Sequence, residues 1–120
     1  MSYKSLEIWK ISRVVVLDIY ILTMKLPKHE MYETGSQIRR SAASIKANIV
    51  EGYGRKKYKK DFIRFLIIAS ASRDETLDHL ETLYEKGLIS NQSDYKKIHT
   101  RLHELGRMLH GFIQAVEKND

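Results

Sequence analysis

Positive charge is concentrated in one short part of the sequence. Between Arg39 and Arg64, nine lysines or arginines accompany only two acidic residues, so this stretch carries +7 while the whole chain carries +6. Such a cluster can neutralise phosphates, and interleaved tyrosines can stack on unpaired bases. We therefore predict contact with RNA or DNA through Arg39, Arg40, Lys46, Tyr53, Arg55, Lys56, Lys57, Tyr58, Lys59 and Lys60. The alternative is a solvated loop whose charge keeps the protein soluble.

A second polar set, Asn48, Glu51 and Glu75, raises the question of catalysis. Asn48 and Glu51 are about one helical turn apart, and Glu75 belongs to a later segment. No motif places a base beside a nucleophile, and partly buried charges must be paired. We interpret the three residues as a structural network that fixes the register of two helices, and we predict that the protein is not an enzyme.

Three histidines, His99, His103 and His110, are four and seven residues apart, which places them on one side of a helix. Two histidines at i and i+4 can bind a metal ion, but a strong site also needs a carboxylate from a neighbouring segment. The sequence identifies no such carboxylate. We therefore predict solvated or subunit-facing histidines, no metal site and no cofactor.

The composition is that of one globular domain over residues 1–120. Apolar residues make up 42% of the chain and charged residues 30%, which is too apolar for a disordered protein. Cysteine is absent, which excludes disulfides and zinc–thiolate sites. The first residues lack the apolar core of a signal peptide, and no apolar run approaches the roughly 20 residues that span a membrane. We therefore expect a cytoplasmic protein that does not enter membranes.

Helix-breaking and helix-capping residues divide the chain into four helices. The only proline, Pro27, ends the first, because the residue before a proline disfavours helical geometry. Thr34 or Ser36 can cap the second, Gly52 and Gly54 can end it, Gly87 can end the third, and Ser90 or Asn91 can cap the fourth. The predicted helices run from about Ser5 to Lys25, Thr34 to Tyr53, Tyr58 to Gly87 and Asn91 to Lys118. Short loops between them predict an all-α, antiparallel up-and-down four-helix bundle.

Apolar spacing indicates which face of each helix is buried. In the fourth helix a stripe runs from Tyr95 to Val116, and the second has Ile38, Ala42, Ile45 and Ile49 at the same spacing. The first and third helices are apolar on two sides. We expect the inward residues there to be Leu6, Trp9, Val16, Tyr20, Phe62, Phe65, Leu66 and Ala69. The surplus apolar residues are Ile8, Ile11, Val15, Ile19, Leu22, Ile63, Ile67 and Ile68.

The surplus apolar residues predict a homo-oligomer. At ~25 cal/mol per Å2, covering a few hundred Å2 more of such surface would contribute several kcal/mol. The alternative is a wide core that covers both apolar sides of the first and third helices.

The chain also resembles the rRNA intervening-sequence family of four-helix-bundle proteins over nearly its whole length. The residues that carry the resemblance include Leu6, Trp9, Ser36, Gln37, Ile38, Arg39, Arg40, Ser44, Ile45, Asn48, Ile49, Glu51, Gly52, Gly54, Arg55, Phe62, Phe65, Leu66, Ala69, Ser72 and Glu75. Two positions depart from the pattern. Lys46 stands where members often have proline, which implies a less kinked second helix. The residues just before Ser36, Glu33 to Gly35, are less apolar than those at the same place in other members.

The resemblance implies a ring-like homopentamer. Some members of the family are encoded within insertions in bacterial large-subunit rRNA genes, and similar accessory proteins of diversity-generating retroelements bind nucleic acid and a reverse transcriptase. We therefore expect a non-catalytic protein that binds RNA or DNA through the surface between the second and third helices. The alternative is a protein-interaction scaffold whose positive surface docks an acidic partner such as a polymerase.

Overall fold

The structure is a computed structural model that describes residues 2–119, and within that range the chain is helical without strands. A single 3-10 turn, Tyr3–Ser5, precedes the first helix. Four long helices and one short helix follow: α1 Glu7–Met24, α2 Lys28–Tyr32, α3 Thr34–Gly54, α4 Lys59–Glu85 and α5 Gln92–Lys118. The four predicted helices are therefore confirmed, with α2 as an additional element.

The predicted end of α4 and start of α5 are confirmed in detail. Gly87 has a φ of +74°, its N–H donates to Tyr84, and the N–H of Leu88 donates to Leu83 at 3.1 Å. These paired bonds satisfy the last carbonyls of α4. The positive φ at position 87 favours glycine, which has no Cβ to clash in this conformation. Asn91 then caps α5, because its side-chain oxygen accepts from the N–H of Asp94.

The predicted start of α3 is wrong in its cap. Thr34 and Ser36 lie inside the helix, and the preceding position is Glu33, which makes no side-chain capping bond. The short helix α2 explains the difference. Pro27 starts it, with the N–H of Met31 donating to the Pro27 carbonyl at 2.9 Å, and only Glu33 separates it from α3. The chain therefore enters α3 directly from another helical turn.

The long helices form an elongated bundle of 49 × 22 × 22 Å. Helix α3 packs most extensively on α4, α1 packs on α3 and α5, and α4 packs on α5. This order places α1 and α4 at opposite corners. It also brings the turn between α3 and α4 to one end of the bundle and the turn between α4 and α5 to the other.

The core agrees with the predicted stripes of α3 and α5. Ile38, Ala42, Ile45 and Ile49 have no exposed surface, and the central leucines of α5 are equally buried. In α4, Phe62, Leu66 and Ala69 face the core while Phe65 is half-buried. The outward positions predicted for Ile67 and Ile68 are confirmed, with 54% and 37% of their surface exposed.

The inward face predicted for α1 is wrong. Ile8, Val15, Ile19 and Leu22 form the buried stripe, whereas Tyr20, expected inside, is 55% exposed. The buried stripe of α1 also contains two hydroxyl residues, Ser12 and Thr23, which are fully covered. Their hydroxyls donate to carbonyls of their own helix, to Trp9 at 2.9 Å and Ile19 at 2.9 Å. A hydroxyl residue can therefore be buried without a hydrogen-bond partner on another helix. For this reason the polar character of Ser12 and Thr23 did not show which side of α1 is exposed.

Hydroxyl groups and small residues line the contact between α3 and α4. The Thr76 hydroxyl lies 2.8 Å from Ser41 Oγ and 2.8 Å from the Ser72 carbonyl, and Ser44 Oγ lies 2.9 Å from Ser72 Oγ. Thr76 is fully buried and Ser41 nearly so. Further along, a Cβ on Gly52 would lie 3.1 Å from Phe65 Cβ. Short side chains thus let the two helices approach closely, and the hydroxyls satisfy one another there.

We expect Thr76→Val to lower the free energy of unfolding by about 1–2 kcal/mol, because valine keeps the shape but leaves the buried Ser41 hydroxyl without its interhelical partner. The double variant S41A/T76V removes both partners and should lose less than the sum of the two single variants, by about 0.5 kcal/mol or more. Urea denaturation at one fixed protein concentration measures all four proteins. Strictly additive losses would contradict this account of the contact.

Candidate nucleic-acid interface

The basic segment forms a tight turn between α3 and α4. Successive backbone N–H groups donate back along the chain, from Arg55 to Gly52, from Lys56 to Tyr53 and from Tyr58 to Arg55. Helix α4 then begins at Lys59. The cations of this turn, which we call the basic turn, are therefore presented together at one end of the bundle: Arg55, Lys56, Lys57, Lys59 and Lys60.

The side chains of the basic turn differ in how much of their charge is balanced. Arg55 lies 3.5 Å from the carboxylate of Glu51 and 3.8 Å from that of Asp61, and it also covers the Phe65 ring at 5.1 Å. Lys57 and Lys60 are exposed. Arg55 contacts both of these carboxylates, so the turn keeps a net positive charge, to which the exposed Lys57 and Lys60 contribute.

The two tyrosines beside the turn have different surroundings. Tyr53 is half-buried, packs edge-on against Phe62 with ring centroids 6.4 Å apart, and accepts a hydrogen bond from Lys56 at 2.9 Å. Tyr58 is 62% exposed, with the Lys57 amine 6.0 Å from its ring centroid. Tyr58 therefore offers an accessible ring for stacking, whereas Tyr53 is mainly a packing residue.

The structure does not bring the other predicted cations to the basic turn. Arg40 and Arg55 are both associated with α3 but lie 15 residues apart, which corresponds to about 22 Å along a helix. Lys46 lies between them and is half-buried. Arg39, Arg40 and Lys46 thus follow the length of α3, and they would contact only a ligand that extends along the bundle.

Arg39 is placed to hold helices together. Its Nη2 donates to the Met31 carbonyl at 3.1 Å, so it links α2 to α3. A Cβ on Gly35 would lie 3.2 Å from its Nη1, which is buried and has no hydrogen-bond partner among the described residues. Arg40, by contrast, is exposed and bonds only within its helix in the contacts of the described residues, to Ser36 Oγ at 3.1 Å.

The predicted polar network of Asn48, Glu51 and Glu75 takes a different form. Asn48 donates to the Ser44 carbonyl at 2.8 Å and lies 3.0 Å from Ser44 Oγ, through which it joins the hydroxyls between α3 and α4. Glu51 and Glu75 are exposed, and within the described part of the chain neither pairs across to the other helix: Glu51 pairs with Arg55, which directly follows α3, and Glu75 with His79 of α4 at 3.4 Å. The interhelical network is therefore built from neutral hydroxyls, and the two glutamates lie at its surface.

An open polar groove lies above these hydroxyls, and sequence reasoning did not identify it. Its lining residues are Gln37, Arg40, Ser41, Ser44, Glu75 and His79. The one local signal was the spacing of Glu75 and His79 at i and i+4, which allows an ion pair on a helix surface. Nothing in the sequence showed that this pair would face Arg40 across two helices.

The three histidines of α5 divide into two groups. The rings of His99 and His103 have centroids 4.6 Å apart, whereas His110 is exposed and two turns further along the helix. Glu81 of α4 reaches His99, with 2.9 Å between Oε2 and Nε2. Tyr95 lies beside them, and burial, together with the negative charge of Glu81, raises the pKa of its hydroxyl. The carboxylate missing from the sequence prediction is therefore supplied by α4.

None of the helices in the described range combines the length and apolar character needed to cross a membrane.

Comparisons with known proteins agree on one family. The model of the 23S rRNA-intervening sequence protein family matches residues 4–111. The chain is similar to a crystal structure of a protein of unknown function from the S23 ribosomal protein family of Bacteroides thetaiotaomicron VPI-5482. The two are 29% identical over 89% of this chain and 95% of that chain, with a TM-score of 0.80. None of the curated proteins compared with the chain matches it.

We expect Arg39→Ala to lower the free energy of unfolding by about 1–2 kcal/mol, because it removes the bond to Met31 and the packing beside Gly35. The matched variant Arg40→Ala should change it by less than about 0.5 kcal/mol, since Arg40 is exposed. Urea denaturation compares the two. Equal effects would mean that Arg39 does not hold α2 against α3.

Proposed function

The chain belongs to the 23S rRNA-intervening sequence protein family, and we propose that it is a non-catalytic, oligomeric accessory protein that binds RNA or DNA through the basic turn. The observation that carries the proposal is the gathering of five cations at one end of the bundle beside an exposed tyrosine. Family membership alone does not assign a function, so this surface carries the proposal.

The basic turn suits a phosphate backbone better than a base-specific contact. Lys57 and Lys60 are exposed point charges on flexible chains, which neutralise phosphates and release counterions without a fixed geometry. Tyr58 adds a ring that accepts any base. The surface should therefore bind single-stranded nucleic acid with little sequence preference and with a strong dependence on salt.

Two exposed apolar surfaces support self-association. On α1, Leu17, Tyr20, Ile21 and Met24 recur at i, i+3, i+4 and i+7 and are each at least 40% exposed. On α4, the exposed pair is Ile67 and Ile68. Because α1 and α4 occupy opposite corners, one copy can place its α1 surface on the α4 surface of the next, which is the head-to-tail arrangement that closes into rings.

The proposed number of subunits is five, as the family resemblance implies.

A shallow cleft beside Ile21 supports the use of α1 as a contact surface. Ile98 forms part of its floor, and charged side chains surround it: Asp18, Lys25, Asp94 and Lys97. An apolar centre with a polar rim is the usual anatomy of a protein interface. Copies of a weak basic turn in one ring would then bind one polyanion jointly and more tightly than a single copy.

We expect K57E/K60E to weaken binding of a fluorescein-labelled oligouridylate by about tenfold or more and to reduce the salt dependence by about two phosphate contacts. Glutamate at position 60 also suits the first turn of α4, so the fold should persist. Fluorescence anisotropy over a series of salt concentrations measures both quantities, and a labelled DNA duplex tests the preference for single strands.

The matched control is K28E/K96E, which makes the same change in net charge on exposed lysines towards the opposite end of the bundle. It should retain most of the binding. An equal loss of affinity in both double variants, or an affinity that does not depend on salt, would contradict nucleic-acid binding by the basic turn. A partner retained from lysate after nuclease treatment would favour the scaffold that docks an acidic protein.

Ile21→Asp should convert the oligomer into single chains of 14.1 kDa, because a carboxylate would be buried without a partner in the contact. Light scattering coupled to gel filtration measures the mass. Thr100→Asp adds the same charge at an exposed position of α5 and should leave the oligomer intact. A wild-type protein that is already monomeric would contradict the proposed assembly.

A further inference from the structure

The face between α4 and α5 carries a cluster that the proposed function does not use. Glu81 of α4 and two histidines of α5, His99 and His103, direct ligand atoms into one small region, and these atoms all lie within 4.8 Å of one another. The region is separate from the basic turn, because the basic turn ends in the first turn of α4 and Glu81 lies in the last two turns of that helix. We propose that Glu81, His99 and His103 bind a divalent transition-metal ion, for which Zn2+ is the best-suited candidate.

The helices place these three side chains by ordinary rules. His99 and His103 are four residues apart on α5, so their rings lie one above the other on the same face. The register of α5 on α4 then decides which residue of α4 faces them. The turn at Gly87 and the cap at Asn91 hold that register, because both helix ends have satisfied backbone groups there.

The distances are close to those of a metal site. Zn2+ holds nitrogen and carboxylate ligands at about 2.0–2.2 Å, so ligand atoms around one tetrahedral ion are about 3.3–3.5 Å apart. His99 Nε2 and Glu81 Oε2 are 2.9 Å apart as a hydrogen-bonded pair. Insertion of an ion would separate this pair slightly and draw His103 closer, and side-chain rotation alone can make both movements.

The donor set selects the class of metal. Two imidazole nitrogens and one carboxylate oxygen suit Zn2+, Co2+, Ni2+ and Cu2+, whereas Mg2+ and Ca2+ require mainly oxygen ligands. The chain contains no cysteine, so copper(I) and iron–sulfur chemistry have no thiolate here. To bind the ion through Nε2, His99 must carry its proton on Nδ1, and the ion then replaces the hydrogen bond to Glu81.

Neighbouring aromatic side chains hold His99 in position. Its ring lies 5.3 Å from that of Tyr95, which stacks on Tyr84 at 4.0 Å with the planes 11° apart. Gln92 donates to the Tyr84 hydroxyl at 3.0 Å and fixes the stack. A ligand whose ring is already restrained loses less entropy when the metal binds. His103 is exposed, so one side of the ion would remain open to water.

The experiment uses the full chain without a histidine tag, stripped with a chelator and then dialysed. Zn2+ is titrated in competition with a chromophoric chelator, and the visible absorption of Co2+ reports the coordination geometry. We expect one ion per chain for the wild type. His103→Ala and Glu81→Gln should each weaken Zn2+ binding by at least about 100-fold, more than loss of a supporting group outside the ligand set usually does.

His110→Ala is the matched control, because it removes an exposed histidine of the same helix that lies outside the cluster. It should bind Zn2+ as the wild type does, and Zn2+ should raise the melting temperature of both by several degrees, since the ion joins α4 to α5. His103→Ala should fold normally but show no such rise. Unchanged binding in His103→Ala, or no binding by the wild type, would reduce the cluster to a hydrogen-bonded His99–Glu81 pair.

Discussion

The close contact between α3 and α4 is the constraint on which the other features depend. Ser41, Ser44, Ser72 and Thr76 meet there through their hydroxyls, and Gly52 leaves room for Phe65 nearer the turn. A larger side chain at any of these positions would push the helices apart, because packed interiors have little free space. The contact therefore fixes the register of the pair and brings the cations that follow Gly54 to one end of the bundle.

The remaining helices are arranged around this pair, and their outer faces carry the candidate binding surfaces. Helix α1 covers one side of the core with Val15 and Ile19 and exposes Tyr20 and Ile21 on the other. Helix α5 covers the adjoining side and meets α4 near Glu81. Each candidate surface thus uses positions that the core does not need: the basic turn proposed for polyanions, the apolar corners proposed for other copies, and the α4–α5 face proposed for a metal ion.

Sequence reasoning located most of the fold because its signals were local. The stripe of α5 and the glycine signal at Gly87 depend only on neighbouring residues, and both are confirmed. It failed where the answer depended on another helix. The buried side of α1 was wrong because both sides are apolar and Thr23 satisfies its hydroxyl within its own helix. Glu81 was missed because the register between α4 and α5 is set by packing, which no spacing along one helix reveals.

Two of the contacts between helices differ in their chemistry. Neutral hydroxyls join α3 to α4, whereas charges join α1 to α5: Asp18 lies 2.5 Å from Arg101, and Lys25 lies 3.6 Å from Asp94. Dissolved ions weaken attraction between charges and barely affect a bond between two hydroxyls. Rising ionic strength would therefore loosen the α1 corner before the central pair. The α3–α4 contact beneath the basic turn would keep its shape at high salt, so the salt dependence of the proposed nucleic-acid binding can be measured while this pair of helices stays intact.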